Sequence, residues 1–364
     1  MKKGKYSIKL GILLFLLITV LTVVIILFRT FNQDTLKALQ TIRRTDILVL
    51  LGLIVVNWLM EIFKLQLIAG IGHARIRFKA AFYAILSNLF FSGITPFQSG
   101  GAASLIYIMY QNGIGVGKGT AISFLRLSLT LFALGLATPI CILFRPSLLA
   151  SKLLSTFFIY SLIISFLLLL GYIYLLVKPK ILKRFSILII TLLKKVKLIS
   201  KERYKHWISL IVKEIDAFNE INISCWKYHK AKLFGGFFFT LLIIISQFLI
   251  APFLLYFLYP QIKINLGHLI FFAIITQIVI HFIMYFIPTP GGSGFIEISF
   301  MTFFADLIPS SILGIYTVLW RFFSTIVSMI VGAFVTLKFI GIKEIKMLIP
   351  NKEVFDKNIK PHID

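Results

Sequence analysis

The sequence predicts an all-α polytopic membrane protein, an inverted-topology repeat of about six full spans plus two broken-helix, re-entrant hairpins. Three observations carry that expectation. Of the 364 residues, 59% are hydrophobic and only 14% are charged, with a mean hydropathy of +0.96; a soluble chain keeps about a quarter of its residues charged. Several apolar runs exceed the roughly 18 residues that mark a spanning helix, and none shows the short alternating strands of a membrane β-barrel. The pattern T-P-x-x-S-G occurs twice, in ITPFQSGGAAS at 94–104 and in IPTPGGSGFIE at 287–297.

The net charge of +25 comes from 38 basic against 13 acidic residues. On such a chain it reads as cytoplasmic positive charge and affinity for anionic headgroups. Membrane lipid is the expected partner and nucleic acid is not. Cys141 and Cys225 fit no metal or redox spacing and are expected to pack, and no metal site or cofactor is implied. The first apolar run follows Lys2, Lys3, Lys5 and Lys9. It is too long for a signal-peptide core and lacks a small-x-small cleavage site, so it is read as a retained helix.

Membrane-embedded segments are expected at about 10–29, 47–71, 80–94, 102–112, 119–144, 153–177, 233–258, 268–288, 295–308 and 312–338. Basic clusters orient them. The N-terminal lysines and Arg75, Arg77 and Lys79 lie on the cytoplasmic side, while Lys37, Arg43 and Arg44 fall in an external loop, a mild departure from the rule. The stretch 178–232 carries fourteen basic and four acidic residues and reads as cytoplasmic amphipathic helix on the inner leaflet. Lys338, Lys343 and Lys346 place the C-terminus inside as well, giving a multi-pass protein of the cell membrane with both termini cytoplasmic. The segments group into a first membrane repeat at 1–144, a second at 145–341 and a tail at 342–364.

Segments 80–94 and 102–112 are too short to cross about 30 Å of hydrocarbon at about 1.5 Å per residue. They are expected to dip in from the cytoplasm and turn at Thr95-Pro96. The second pair, 268–288 and 295–308, turns at Thr289-Pro290 and opens to the opposite side, although its first arm is long enough to span. An arginine follows each turn, Arg126 at 31 residues after Thr95 and Arg321 at 32 after Thr289, in FLRLSLT and LWRFFST. Matched turns, matched arginines and opposite orientation together predict the inverted repeat of secondary transporters.

Non-helical backbone survives at membrane depth only where protein buries it or water lines it. The half-helix after each turn starts with free N–H groups and a positive dipole end, a ready anion site. Ser99 and Ser293 are candidate caps; the alternative reading of each turn is a dry packing joint, which glycine also permits. The candidate substrate-binding residues are Thr95, Pro96, Ser99, Gly100 and Gly101 with Arg126, and Thr289, Pro290, Gly291, Gly292, Ser293, Gly294 and Glu297 with Arg321.

A mid-bilayer arginine costs about 2.5–3.5 kcal/mol on the insertion scale, so it needs a partner or a wet cavity. Glu61, Glu297, freed carbonyls or an anionic ligand are the choices. The deep acids are Glu61, Glu297 and Asp306, set against Lys64, Arg126, Arg321 and the titratable His281. That excess of positive charge suits phosphate or carboxylate, which arginine grips with a bidentate fork. Lys64 is expected to pair with Glu61 or to snorkel to the headgroups. Asn88, Gln98, Gln277 and His281 flank the hairpins; Asn88, His281, Glu61 and Lys64 are further possible contacts.

The stretches NLFFSGITPFQSGGAASLIYIMYQNGIGVGKGTAISFLR at 88–126, FIPTPGGSGFIEISFMTFF at 286–304 and VLWRFFS at 318–324 resemble the lysylphosphatidylglycerol synthase transmembrane-region family. That family includes the flippase half of the multiple peptide resistance factor and stand-alone flippase-like proteins. The resemblance covers nearly the whole chain and implies lipid transport, with a link to antimicrobial peptide resistance. Relatives with a soluble C-terminal domain attach lysine to phosphatidylglycerol there; this chain runs only about 25 residues past its last expected helix, so that activity is not expected of it. Many relatives carry Glu or Gln after the glycine pair of the first motif, where this sequence has Ala102-Ala103.

The expected function is a lipid translocator that moves an anionic or aminoacylated phospholipid, or a polyprenyl-phosphate-linked lipid, between leaflets. Both turns and both arginines would hold the headgroup phosphate. A membrane-embedded headgroup transferase of the phosphatidylglycerol lysyltransferase type, with Glu61 or Glu297 as base, and a small-anion or ion transporter are the alternatives. Monomer and homo-oligomer both remain open.

Overall fold

The computed structural model describes residues 8–144 and 201–345, Lys263 and Asp306 apart, together with separate positions between 155 and 191. The expected span at 153–177, the first part of the basic segment and the tail from 346 lie outside the described residues, wholly or in most of their length.

Every element among the described residues is helical. The first half consists of α1 (Ile8–Thr30), α2 (Gln33–Thr41), α3 (Arg44–Ala69), α4 (Phe78–Ile94), α5 (Ser99–Gln111) and α6 (Val116–Phe144). The basic connector contributes α7 (Lys201–Tyr228). The second half follows as α8 (Lys230–Phe248), α9 (Ile250–Leu258), α10 (Leu266–Met284), α11 (Phe295–Phe304), α12 (Ser310–Arg321) and α13 (Val327–Ile345), the last two joined by a π-turn at Phe322–Ile326.

Local chemistry sets the boundaries. The side chain of Asn32 accepts the Thr35 N–H at 3.0 Å while the Thr35 hydroxyl accepts the Asn32 N–H at 3.2 Å, a reciprocal cap that starts α2. Asn265 caps α10 by accepting from the Gly267 N–H at 2.8 Å. The break between α8 and α9 falls just before Pro252, whose missing N–H and bulky ring interrupt the ladder.

Among the described residues five helical stretches are long and apolar enough to cross a membrane: Arg44–Gly72, Val116–Phe144, Lys230–Leu258, Leu266–Met284 and Ser310–Phe339. A sixth is added if α1 and α2, bent by 112° to one another, count as one span. The hairpin α4–α5 has short arms of 17 and 13 residues. The second is unequal, since α10 has 19 residues and spanning length whereas α11 has only 10.

The halves interlock. The arm before each turn packs along the helix that carries the other half's later sequence: α4 lies against α13, and α10 against α6. Helices α3 and α8 face each other between them, tied by Asn57, whose amide donates to the Ile243 carbonyl at 3.0 Å and the Ser246 hydroxyl at 3.1 Å. At the α4–α13 crossing a Cβ on Gly332 would collide with the Leu86 carbonyl, and Thr336 donates to the Ser87 hydroxyl at 2.9 Å. Within the first hairpin a Cβ on Gly101 would collide with Ser92 and Asn88, so only glycine lets the arms close this far.

Among the described residues two large apolar cores result, with a small third one around Phe15, Phe91, Ile94 and Met329. One fills the first half around Ile62, Leu65, Ile85, Ile108 and Ile122. The other fills the second half, where Phe300 stacks on Trp320 with centroids 3.8 Å apart. Helix α7 docks on α6 and on the turn after α3 through Ile215, Ile221 and Cys225, all buried. It thus rests on protein as well as facing outward. The Glu214 carboxylate accepts the Gly117 N–H at the start of α6. Burial pushes the Cys225 thiol up to about 11, the environment of a packing cysteine.

If the hairpin depends on that close approach, Gly101→Leu should lower stability by about 1–3 kcal/mol through overpacking. Gly52→Leu, where a Cβ meets nothing within 4 Å, should stay within about 0.5 kcal/mol. Thermal unfolding of the two variants in detergent checks the contrast.

Candidate functional site

The two turns share one backbone. Thr95 and Thr289 are extended, with ψ of 146° and 148°, and each begins a tight turn through a proline. Next come two left-handed residues in each turn, Phe97 and Gln98 at φ 52° and 55° in the first, Gly291 and Gly292 at φ 58° and 70° in the second. Gln98 N–H returns to the Thr95 carbonyl at 3.3 Å and Gly292 N–H to the Thr289 carbonyl at 3.0 Å. Glycine adopts that conformation freely, whereas Phe97 and Gln98 hold it at about 1–2 kcal/mol each. The turns then diverge. Ser99 is already helical, but Ser293 remains extended and α11 starts two residues later.

The turns also meet. The 96–98 and 290–292 segments pack on one another, and a Cβ on Gly291 would lie 2.9 Å from the Gly93 carbonyl. The expected serine caps are not the ones used. Thr95 takes that place in the first turn, accepting the Gly100 N–H at 2.9 Å and donating to the Phe91 carbonyl at 2.7 Å. Ser99, inside the first helical turn, bends back to the Pro96 carbonyl at 2.9 Å. In the second turn Glu297 accepts the Gly294 N–H at 2.7 Å. Ser293 sits too early to cap and lies 3.3 Å from the Thr19 hydroxyl on α1.

Each arginine has a glutamate, but not in the same way. Arg321 Nε lies 2.8 Å from Glu297 Oε1, and its Nη2 donates to the Gly291 carbonyl at 2.6 Å and its Nη1 to Thr325 at 3.2 Å. The Nε contact is one of charge rather than a straight hydrogen bond. With side chains 4% and 3% exposed, this pair is closed and holds the second turn by its backbone. Arg126 places Nε and Nη2 at 2.9 Å and 2.8 Å from a single oxygen, Oε2 of Glu61 on α3, with a weak 3.5 Å contact from Nη2 to the Asn88 side chain. Both partners are 13% exposed.

The difference traces to one position. Counting from the threonine of each turn, Ala103 stands where Glu297 stands in the second half. The first hairpin therefore supplies no carboxylate, and Arg126 is served from α3 instead. Lys64 neither pairs with Glu61 nor snorkels: it is fully buried and donates to the Thr130 hydroxyl at 3.0 Å.

A cavity of about 510 Å³ opens beside Arg126. Its polar lining includes Glu61, Asn88, Ser92, Gln98, Ser99, Thr120, Ser123 and Thr130, its apolar lining Phe97, Leu105, Ile106, Phe124 and Leu127. Ser123 is buried, lines this space and has a hydroxyl with no hydrogen-bond partner. A smaller cavity of about 190 Å³ lies between the turns, with Gly291, His281, Arg321, Asn57 and Ser328 on its wall, and shares Glu61, Ser92, Gln98, Thr130 and Tyr285 with the first. His281 binds the Gln277 carbonyl through Nδ1 at 3.0 Å; a carbonyl only accepts, so Nδ1 carries the proton.

Of the expected site residues, Asn88, Ser99, Arg126 and Glu61 come together on the larger cavity, and Gly291, Arg321 and His281 on the smaller. Thr95, Pro96, Gly100, Gly101, Thr289, Pro290, Gly292, Ser293, Gly294 and Glu297 build the turns but line neither space. Sequence reasoning missed Ser92, Ser123, Thr130 and Tyr285. A signal existed for two of them: Thr120, Ser123, Arg126 and Thr130 recur at three- and four-residue spacing along an apolar helix, one polar stripe on one face.

A family described as the lysylphosphatidylglycerol synthase TM region matches residues 8–332. A protein of Archaeoglobus fulgidus described as a UPF0104 membrane protein is 22% identical over 325 residues, covering 87% of this chain and 94% of that relative.

The two ion pairs should respond differently to loss of the arginine. Arg321→Ala strands a buried carboxylate and should cost about 3–5 kcal/mol. Arg126→Ala leaves Glu61 facing a cavity that admits water and should cost clearly less. Denaturation midpoints of the two purified variants test the ranking, and a reversed order would contradict it.

Proposed function

Since the chain belongs to the lysylphosphatidylglycerol synthase TM-region family, whose members are embedded in the membrane, we propose that it carries a phosphate-bearing lipid between leaflets. The lipid is an anionic or aminoacylated phospholipid or a polyprenyl-phosphate-linked one. The observation that carries this reading is the placement of Arg126 on the wall of a cavity of about 510 Å³ whose lining mixes polar and apolar side chains. The polar stripe of α6, Thr120 to Thr130, extends about 15 Å along that wall and offers hydroxyls to a moving headgroup while acyl chains stay against apolar surface. The unpartnered Ser123 hydroxyl is one such contact. Arg321 acts differently, as the clamp that fixes the second turn against the first.

Charge supports an anion. Three cations, Lys64, Arg126 and Arg321, are held within the bundle with two carboxylates, Glu61 and Glu297. A transferase would need an available base, and both of these carboxylates are engaged by arginine, which favours transport over headgroup chemistry.

Dithionite quenching of fluorescent phospholipids in proteoliposomes tests the proposal. The wild-type chain should speed exchange between leaflets, and Arg126→Gln should slow it at least tenfold, about 1.4 kcal/mol of lost interaction. Wild-type exchange rates in Arg126→Gln, or anion flux independent of lipid, would overturn it.

A further inference from the structure

An anion entering the larger cavity meets an arginine that already has a partner, so the partner has to yield. We infer that Glu61 is an exchangeable counter-ion: the headgroup phosphate displaces it from Arg126, and Lys64, one turn along the same helix, receives the freed carboxylate. The inference rests on the lipid-phosphate reading of the cavity.

The geometry distinguishes Glu61 from its counterpart. Glu297 is fixed twice over, by the Gly294 N–H and by Arg321, and Arg321 is itself anchored to the Gly291 carbonyl. Glu61 is bonded through Oε2 to Arg126 alone, feels Lys64 through charge without direct contact, and faces both cavities. Lys64 is wholly buried with a single hydroxyl as its hydrogen-bond acceptor, an incomplete setting for an ammonium group. Residues three apart on a helix share a face, so a change of side-chain torsion is enough to bring the carboxylate to Lys64. Thr130, which accepts from Lys64, sits one turn from Arg126 on α6 and donates to its backbone carbonyl at 3.2 Å. Without Lys64, a displaced carboxylate would remain beside the incoming phosphate, and like charges in a poorly screened interior repel.

A double-mutant cycle reads the exchange. Calorimetric binding of dioctanoyl phosphatidic acid, the simplest lipid phosphate, is measured on the full chain in detergent. Glu61→Gln should tighten binding roughly tenfold by releasing Arg126, and Lys64→Met should weaken it roughly tenfold. In the Glu61→Gln background Lys64→Met should change binding less than about twofold, because no carboxylate then needs a new partner. Equal weakening in both backgrounds would make Lys64 a direct or structural contact and overturn the exchange, as would weaker binding by Glu61→Gln. Lys64→Gln takes the place of Lys64→Met if the latter does not fold. Absence of transport with the cycle intact removes the transport reading and leaves the exchange standing; transport with an additive cycle removes the exchange alone. No binding by wild type overturns both.

Discussion

A charge inside an apolar bundle has to be answered by an opposite charge, by hydrogen bonds or by water. The arrangement of this protein follows from how that demand is met twice. At Arg321 it is met by the charge of Glu297 and by hydrogen bonds to the carbonyl of Gly291 and to Thr325. The guanidinium there also satisfies backbone that a tight turn leaves outside any helix, which is how irregular chain persists at depth. The π-turn that begins right after Arg321 is of the kind often found at functional positions, and here it adjoins the clamp. At Arg126 the demand is met by one carboxylate oxygen beside open space.

The inequality of the two halves is as informative as their likeness. Two turns with the same left-handed pair touch, and each preceding arm packs along a long helix of the other half. Such reciprocal packing places any displacement of one half at the same joint where the cavities lie. The small side chains at Gly93, Gly291 and Gly332 keep that joint close. A tight joint flanked by space on the Arg126 side allows the polar stripe to be reached while the Arg321 side stays fixed.

Much of this was legible in the sequence. Helical class and most spans follow from apolar run length, and the duplicated T-P-x-x-S-G turns and their arginines stand out against hydrophobic surroundings. The partners of the arginines were less legible. Glu61 and Glu297 were both visible as candidates, but which arginine each would serve depends on how α3 crosses α6, a tertiary relation that no local pattern encodes. Ala103 in place of a carboxylate was readable as a departure; its consequence, an arginine supplied from another helix, was not. The serine caps failed because hydroxyl spacing does not specify where a helix begins: one residue of difference at Ser99 and Ser293 changes what each oxygen faces. Lys64 escaped for a different reason. Adjacency to Glu61 on one face suggested a local pair, whereas a hydroxyl on α6 reached it first.

The first turn carries the last step of the argument. Its left-handed positions are occupied by Phe97 and Gln98, where the second turn uses Gly291 and Gly292 for the same backbone. Strain of about 1–2 kcal/mol per residue persists only where surrounding structure enforces it, and it gathers at sites whose side chains have work to do. Here both side chains have such a place: Phe97 lines the larger cavity and Gln98 lines both. The glycine turn gives close approach, since a Cβ at Gly291 would press on Gly93, and offers its Gly291 carbonyl to Arg321. The strained turn gives up that ease to put an aromatic ring and an amide on the wall that faces Arg126. Conformational cost, the larger cavity and the arginine held through one carboxylate oxygen thus fall in the same half of the molecule, while the relaxed glycine turn, with its more firmly anchored arginine, borders the smaller cavity.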